Sequence, residues 1–215
     1  MKEGIVLAVC KGNVQRSSTC SAVLAYEAEA QSLTGLVFDS QGLSVERIFS
    51  GRPSHHSIGR ILNSALYYGV VEEQHRETVS GLLDRLTPDT NDTDLLGQLT
   101  AFYNKYVMIT LGILVGFRNA ALHELGIPEH YSRGMPIMYD PANVAGVVLT
   151  MTPSITDQVK AIHGEGSTKK ILCYGDLVGQ PPLEDNLTGG LPEARRQASY
   201  FWETRKTAIQ RILEL

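Results

Sequence analysis

Cys10-Lys11-Gly12-Asn13-Val14-Gln15-Arg16-Ser17 follows directly on the apolar run of residues 4–9, and this junction decides the fold. The run reads as a buried strand, and the polar octet as the loop in which that strand hands over to a helix. A helix N-terminus is a natural anion site, because its first backbone N–H groups lack intrahelical partners and its dipole favours negative charge. A cysteine placed there is expected to ionise easily. Arg16 adds a planar fork that can hold two oxygens of a phosphoryl group, so nucleophile, anion cradle and charge clamp fall within eight residues. Gly12 and Asn13 tolerate the positive φ of a tightly wound loop, and Ser17 can donate a hydroxyl to a thiolate. Spacing alone would make Cys10 a strand-end core thiol and Arg16 a surface residue; their position and company favour the site.

The loop resembles the amino-terminal motif of the low-molecular-weight protein tyrosine phosphatases. That motif is Cys, any residue, Gly-Asn, any residue, Cys-Arg-Ser after a strand, matched here at Cys10, Gly12, Asn13, Arg16 and Ser17. The family's acid motif, Asp followed by Pro and an aromatic, lies between the last strand and the C-terminal helix. Leu183-Glu184-Asp185-Asn186-Leu187-Thr188-Gly189-Gly190 stands in that place, with Asp185 at the acid and Asn186 and Leu187 replacing the Pro and aromatic. Between these ends, Phe38-Asp39-Ser40-Gln41-Gly42 resembles the second strand and its Ser-Ala-Gly turn, and Gly51-Arg52-Pro53 the loop before the next helix. Gly69-Val70 with His75-Arg76 is similar to the segment after that helix, and Val147-Val148-Leu149-Thr150-Met151 to the third strand. The resemblance covers residues 1–87 and 138–215.

Composition fits a soluble intracellular enzyme. The 215 residues, 43% hydrophobic with a formal net charge of -4, can bury the core of a single domain over 1–215 with an added subdomain. Three cysteines, an odd count, argue against a disulfide framework and fit a reducing compartment. The run after Met1-Lys2-Glu3 is too short for a signal peptide, so a cytoplasmic location is expected. Mild acidity gives no reason to expect a nucleic-acid partner. His55-His56 and His75 lack a Cys or carboxylate at ligand spacing, and adjacent histidines diverge on a helix, so no metal is expected. The Gly-Lys-Ser/Thr ending of an ATP loop is missing.

Periodicity supports alternating strands and helices. Cys20, Val23, Leu24 and Ala28 recur at helical spacing after Arg16, and Ile58, Ile61, Leu62, Ala65 and Leu66 form a second stripe ended by Gly69. Thr152-Pro153 opens another helix, with the hydroxyl as N-cap and Ile155, Val159 and Ile162 facing inward. Residues 169–174 read as a fourth strand, and Leu191, Ala194, Ala198, Phe201, Ala208, Ile209 and Ile212 as a long closing helix. The expected class is α/β: a doubly wound four-stranded parallel sheet flanked by helices, flavodoxin-like, with the loop at the carboxyl ends of the strands.

Residues 88–137 form a helical insertion that compact members of the family lack. It begins at the polar turn Pro88-Asp89-Thr90-Asn91-Asp92; Leu95, Leu96, Leu99 and Phe102 follow in helical register, and residues 107–117 are nearly all apolar before Arg118. About eleven apolar residues are too few for a membrane span. A helical hairpin packed on its own domain is the default expectation, with a homodimer surface or a lid over the pocket as the alternatives.

The resemblance implies two-step phosphoryl transfer on a phosphorylated protein or small phosphomonoester, without cofactor or metal. Cys10 would be the nucleophile, Arg16 a catalytic cation on the phosphoryl group, and Asp185 the general acid, with Glu184 and Asp176 as substitutes; Lys11, Gly12, Asn13, Val14, Gln15, Arg16 and Ser17 would form the phosphate site. Ser17, Asn13 and Ser40 would support the loop, and Phe49 falls near the wall that grips a phenyl ring. Val14 is similar to the tyrosine-specific members, whereas the phosphoarginine phosphatases carry Thr. Gln15 replaces the second loop cysteine, so its protective disulfide is not expected, and Ser18, Thr19 and Ser21 replace the usual Pro, apolar residue and Glu. Two other readings compete. Arsenate reduction would need a thiol relay, for which only Cys20 and Cys173 remain; a phosphate-binding regulatory protein would use the insertion as its partner surface.

Overall fold

A computed structural model describes residues 4–49, 53–132, 134, 136–143, 146–164 and 170–215. Of the residues read above, Met1, Lys2, Glu3, Gly51, Arg52 and Lys169 lie outside these. In chain order the elements are β1 (Gly4–Cys10), α1 (Arg16–Ala30), β2 (Leu36–Gly42), α2 (Val45–Phe49), α3 (His55–Tyr67), α4 (Glu73–Asp84) and α5 (Thr93–Glu124). After them come β3 (Gly146–Thr150), α6 (Pro153–His163), β4 (Lys170–Cys173), α7 (Tyr174–Val178) and α8 (Gly190–Leu213). The strands form one parallel sheet in the order β2-β1-β3-β4.

β1 is an unbroken apolar run because both of its faces are covered. Val6, Ala8 and Cys10 point to one face, where α1 and α8 pack through Val23, Leu24, Phe201 and Ile209. Leu7 and Val9 point to the other, against Ile155 and Val159 of α6. This period of two delivers Cys10 to the strand's carboxyl end, opposite Gly42 of β2.

The segment expected to be a hairpin is instead one continuous helix, α5, of 32 residues. Asp92 caps it, its carboxylate accepting from the Asp94 and Leu95 amides at 3.1 and 3.0 Å. Residues 107–117 hold no proline, and Gly112 and Gly116 stand on the exposed side of the helix, so nothing in the run forces a turn. The partners of the apolar stripe come from far along the chain. Leu99, Tyr103, Leu111 and Leu114 cluster with Ile58, Leu62 and Ala65 of α3. Ala121 meets Ala194 and Ala198 of α8, where small side chains permit close approach. By length and composition alone α5 is long and apolar enough to cross a bilayer, a longer apolar stretch than the eleven residues counted above, but its buried face is part of the protein's own core.

Three smaller expectations differ. Thr152 precedes Pro153 at the start of α6, but its hydroxyl makes no capping bond. Ile162, in the last turn of α6, is 50% exposed rather than inward. Tyr174 opens α7 instead of ending β4, and its ring packs edge-on against Phe201 at 5.0 Å.

Candidate active site

Asn13 takes a positive φ of 49°, a conformation asparagine tolerates better than most residues. The resulting bend lets its amide donate to Cys10 Sγ at 3.1 Å, while Ser17 Oγ lies 3.0 Å from the same sulfur. The Asn13 side chain is the hub behind them. Its Nδ2 donates to the Ser40 carbonyl at 3.0 Å, and its Oδ1 accepts from the Ser17 and Ser18 hydroxyls, both at 2.9 Å. Ser40 Oγ donates to Ser18 Oγ at 3.3 Å. Ser18 has one proton, shared between Oδ1 and the Asn13 carbonyl; when it serves Oδ1, Ser17 can turn its own proton onto the sulfur without orphaning the asparagine side chain. Ser18, which departs from the family's proline, is thus part of the shell.

The loop's carbonyls are tied outward. Cys10 O accepts from Leu43 N at 3.1 Å, Lys11 O from Ser44 N at 2.8 Å, and Gln15 O from Thr19 N at 2.8 Å. Asn13 O accepts from Ser18 Oγ at 3.1 Å, and Val14 O from Arg118 Nη1 of α5 at 2.8 Å. In a trans peptide the N–H points opposite the C=O, and the described residues contain no cis bond. Holding these carbonyls out therefore turns the following amides toward the space above Cys10. Among the described residues, the amides of Gly12, Val14, Gln15 and Arg16 donate to no protein acceptor. They form an anion nest at the N-terminus of α1.

Arg16 closes this ring from the side. Its Nη1 donates to Leu183 O at 3.0 Å, its Nη2 lies 3.4 Å from Asp185 Oδ2, and its Nε has no partner. Asp185, 169 residues away in sequence, is thereby brought to the loop as the topology predicts. Arg60 of α3 donates to the same Oδ2 at 2.9 Å, leaving Oδ1 without a partner. Above Cys10 lies a cavity of about 60 Å³, collared by Val14, Ile48, Ile61, Leu111 and Leu187. It shares His56, Arg60, Asp185 and Leu187 with a groove of about 780 Å³ that runs between α3, Leu86-Thr87-Pro88 and residues 185–188. Burial, with Lys11 and Arg60 adding to it, holds His56 below the ordinary imidazole pKa.

The remaining sequence candidates are placed as follows. Gln15 is buried beside the cavity with both side-chain amide atoms unpartnered, an arrangement that costs about 1–3 kcal/mol. Phe49 ends α2 and is 43% exposed; its neighbour Ile48 lines the cavity. Glu184 and Asp176 are exposed, and Glu184 meets Arg196 through its backbone carbonyl at 2.9 Å. Cys20 is buried, and burial first, then the proximity of Cys10, pushes its thiol well above the usual range. Cys173 is buried at the end of β4, and all three cysteines are free. Two contributors escaped the sequence reading, Arg60 and Arg118. The signal for Arg60 was its place one helical turn after His56; for Arg118 it was a cation closing an apolar run, which must find partners when buried.

Neither a protein-family model nor a curated protein matches this sequence. Solved structures do match its fold. A YwlE mutant from Bacillus subtilis superposes with a TM-score of 0.55 at 16% identity, over 99% of both chains. Wzb from Vibrio vulnificus, in complex with benzylphosphonate, matches with a TM-score of 0.54 at 14% identity, again over 99% of both. A low-molecular-weight protein tyrosine phosphatase from Bacillus subtilis matches with a TM-score of 0.53 at 14% identity, covering 98% of this chain and 97% of that one.

Proposed function

We propose that this chain, which has the fold of the low-molecular-weight protein tyrosine phosphatases, hydrolyses phosphomonoesters on proteins, with phosphotyrosine as the substrate class. The observation that carries this reading is the convergence of the Asn13 amide and the Ser17 hydroxyl on Cys10 Sγ, inside inward-turned amides closed by Arg16.

The geometry supports a two-step transfer. Cys10 sulfur attacks phosphorus, forming the S–P bond as the P–O bond to the leaving group breaks. Loop amides and the free Nε edge of Arg16 hold the equatorial oxygens, where the transition-state charge lies. Asp185 supplies the proton to the leaving oxygen through Oδ1, the atom left unpartnered, while Arg60 keeps Oδ2 in place once substrate competes for Arg16. Water then attacks the phosphocysteine, Asp185 takes up its proton, and phosphate leaves with the thiolate restored. Loop and arginine supply the positive field without a metal. Three free thiols suit a reducing, cytoplasmic setting.

The apolar collar supports an aromatic ester. A phosphoarginine side chain would bring another guanidinium beside Arg16 and Arg60, and the cavity's carboxylate, Asp185, already serves both. Hydrolysis of para-nitrophenyl phosphate, a phosphotyrosine peptide and a phosphoarginine peptide, assayed with chelator present, tests the reading. Turnover of the first two well above the third is expected; phosphate binding without turnover of any would make this a phosphate-binding protein instead.

Asp185→Asn is expected to lower kcat about 100-fold on phosphotyrosine peptide and less on para-nitrophenyl phosphate, whose better leaving group needs the proton less. Equal loss on both substrates would assign Asp185 to holding Arg16 rather than to proton transfer. Gly42 provides an independent check on the loop. A Cβ there would meet Asn13 N at 2.8 Å and the Gly12 carbonyl carbon at 2.9 Å, so the loop must move to admit alanine. Gly42→Ala is expected to weaken competitive inhibition by inorganic phosphate about tenfold or more, as one or two amides leave their aim. An unchanged inhibition constant would show that the loop does not depend on this close approach.

A further inference from the structure

The 88–137 segment reaches into the site itself. Arg118, six residues before the end of α5, is 1% exposed. Its Nη1 donates to the Val14 carbonyl at 2.8 Å, and its Nε and Nη2 lie 3.2 Å from Asn119 Oδ1, which also accepts from Ser132 Oγ at 2.6 Å. Burial draws the guanidinium pKa down to about 10, which still leaves it charged at neutral pH. The other carbonyls tied outward find partners within α1 or just after β2, close to the loop in the fold. Val14 O depends on a residue 104 positions away.

We infer that Arg118 is a positioning residue of the phosphate site: by holding the Val14 carbonyl outward it aims the Gln15 amide at the bound anion and sets a fixed positive charge behind the loop. The role rests on the phosphatase reading above. The 14–15 peptide lies between a left-handed Asn13 and the first turn of α1, where a flip would turn a carbonyl oxygen toward the anion and an amide away from it. One donor is lost and one repulsion gained in a place where charge accumulates on the phosphoryl oxygens. Arg118 touches no reacting atom, so its effect must pass through the geometry of that peptide.

The test compares the full-length wild type with Arg118→Met, Arg118→Lys and Leu99→Ala, the last a buried α5 residue about 28 Å along the helix axis from Arg118, which controls for general loosening of the helix. Three quantities are read: kcat/KM on para-nitrophenyl phosphate, competitive inhibition by inorganic phosphate, and the 1H–15N shift of the Gln15 amide on adding phosphate. Arg118→Met is expected to lose about 100-fold in kcat/KM, in the range seen when one transition-state donor is removed. Its phosphate inhibition constant rises about tenfold or more, and the Gln15 shift response shrinks. Arg118→Lys keeps the charge without the fork and falls between. Leu99→Ala lowers the thermal midpoint and keeps the phosphate constant. A folded Arg118→Met with wild-type inhibition and an unchanged Gln15 response overturns the role. If that variant does not fold, Arg118→Lys decides: a phosphate constant and a Gln15 response both unchanged from wild type, against the intermediate change expected, overturn it. Wild type that neither turns over nor binds phosphate overturns the phosphatase reading, and this role with it; failure of the variants alone removes only the role.

Discussion

Cys10→Ser is expected to abolish turnover of para-nitrophenyl phosphate, with a loss on the order of 10⁴-fold or more, the scale seen when a covalent nucleophile is deleted. A serine hydroxyl stays protonated at neutral pH, and the groups around this atom are donors: the Asn13 amide at 3.1 Å and the Ser17 hydroxyl at 3.0 Å. Donors without a base stabilise an anion already formed and cannot take a proton from a hydroxyl. The amides of Gly12, Val14, Gln15 and Arg16 do not use the sulfur, and the loop's carbonyls are held by Leu43, Ser44, Ser18, Thr19 and Arg118. The variant should therefore still bind inorganic phosphate. Mass spectrometry of rapidly quenched wild type should show phosphate on the peptide containing Cys10. Retained turnover in Cys10→Ser, or a quenched enzyme carrying no covalent phosphate under turnover, would sink the phosphocysteine mechanism.

Arg16→Ala is expected to cost about 10³- to 10⁵-fold in kcat/KM, the range attached to an arginine that meets phosphoryl transition-state charge. The loss has two sources. The fork that would grip the equatorial oxygens disappears, and so does the strut to the acid loop, because Arg16 spans the Leu183 carbonyl and Asp185. Arg16→Lys should recover little, since the divergent donors of an ammonium cannot present the parallel, bidentate N–H pair of a planar fork to the phosphoryl oxygens while reaching the Leu183 carbonyl. Near-wild-type activity in the lysine variant would mean that charge alone, and not the planar fork, is what the site requires.

The strand, loop and helix at residues 4–17 were legible because their residue types are local: an apolar run, a Gly-Asn bend, then Arg-Ser at the helix start. Asp185 was legible through its place between the last strand and the last helix, even with Asn186 and Leu187 where a proline and an aromatic belong. Arg60 and Arg118 were not, because nothing in a helix's own sequence says which distant group its charged side chain will meet. Arg60 interrupts an amphipathic stripe as a solvent-facing residue would, and its partner lies 125 residues on. The hairpin expected over 88–137 failed for a related reason. It supposed that the apolar run would find a partner next to it in sequence, whereas α3 and α8 supply it from either side of α5 in the chain.

The way α5 is woven into the pocket bears on how this chain can change over generations. Arg118 holds one loop carbonyl, Tyr103 donates to the Ile48 carbonyl at 3.3 Å, and Leu111 stands in the apolar collar. A segment that began as an ornament on a compact fold would, once these contacts formed, no longer be free to drift or be excised at those positions. Helix and loop must then be inherited as one unit, while the solvent-facing side of the same helix, at Gly112 and Gly116, stays open to variation.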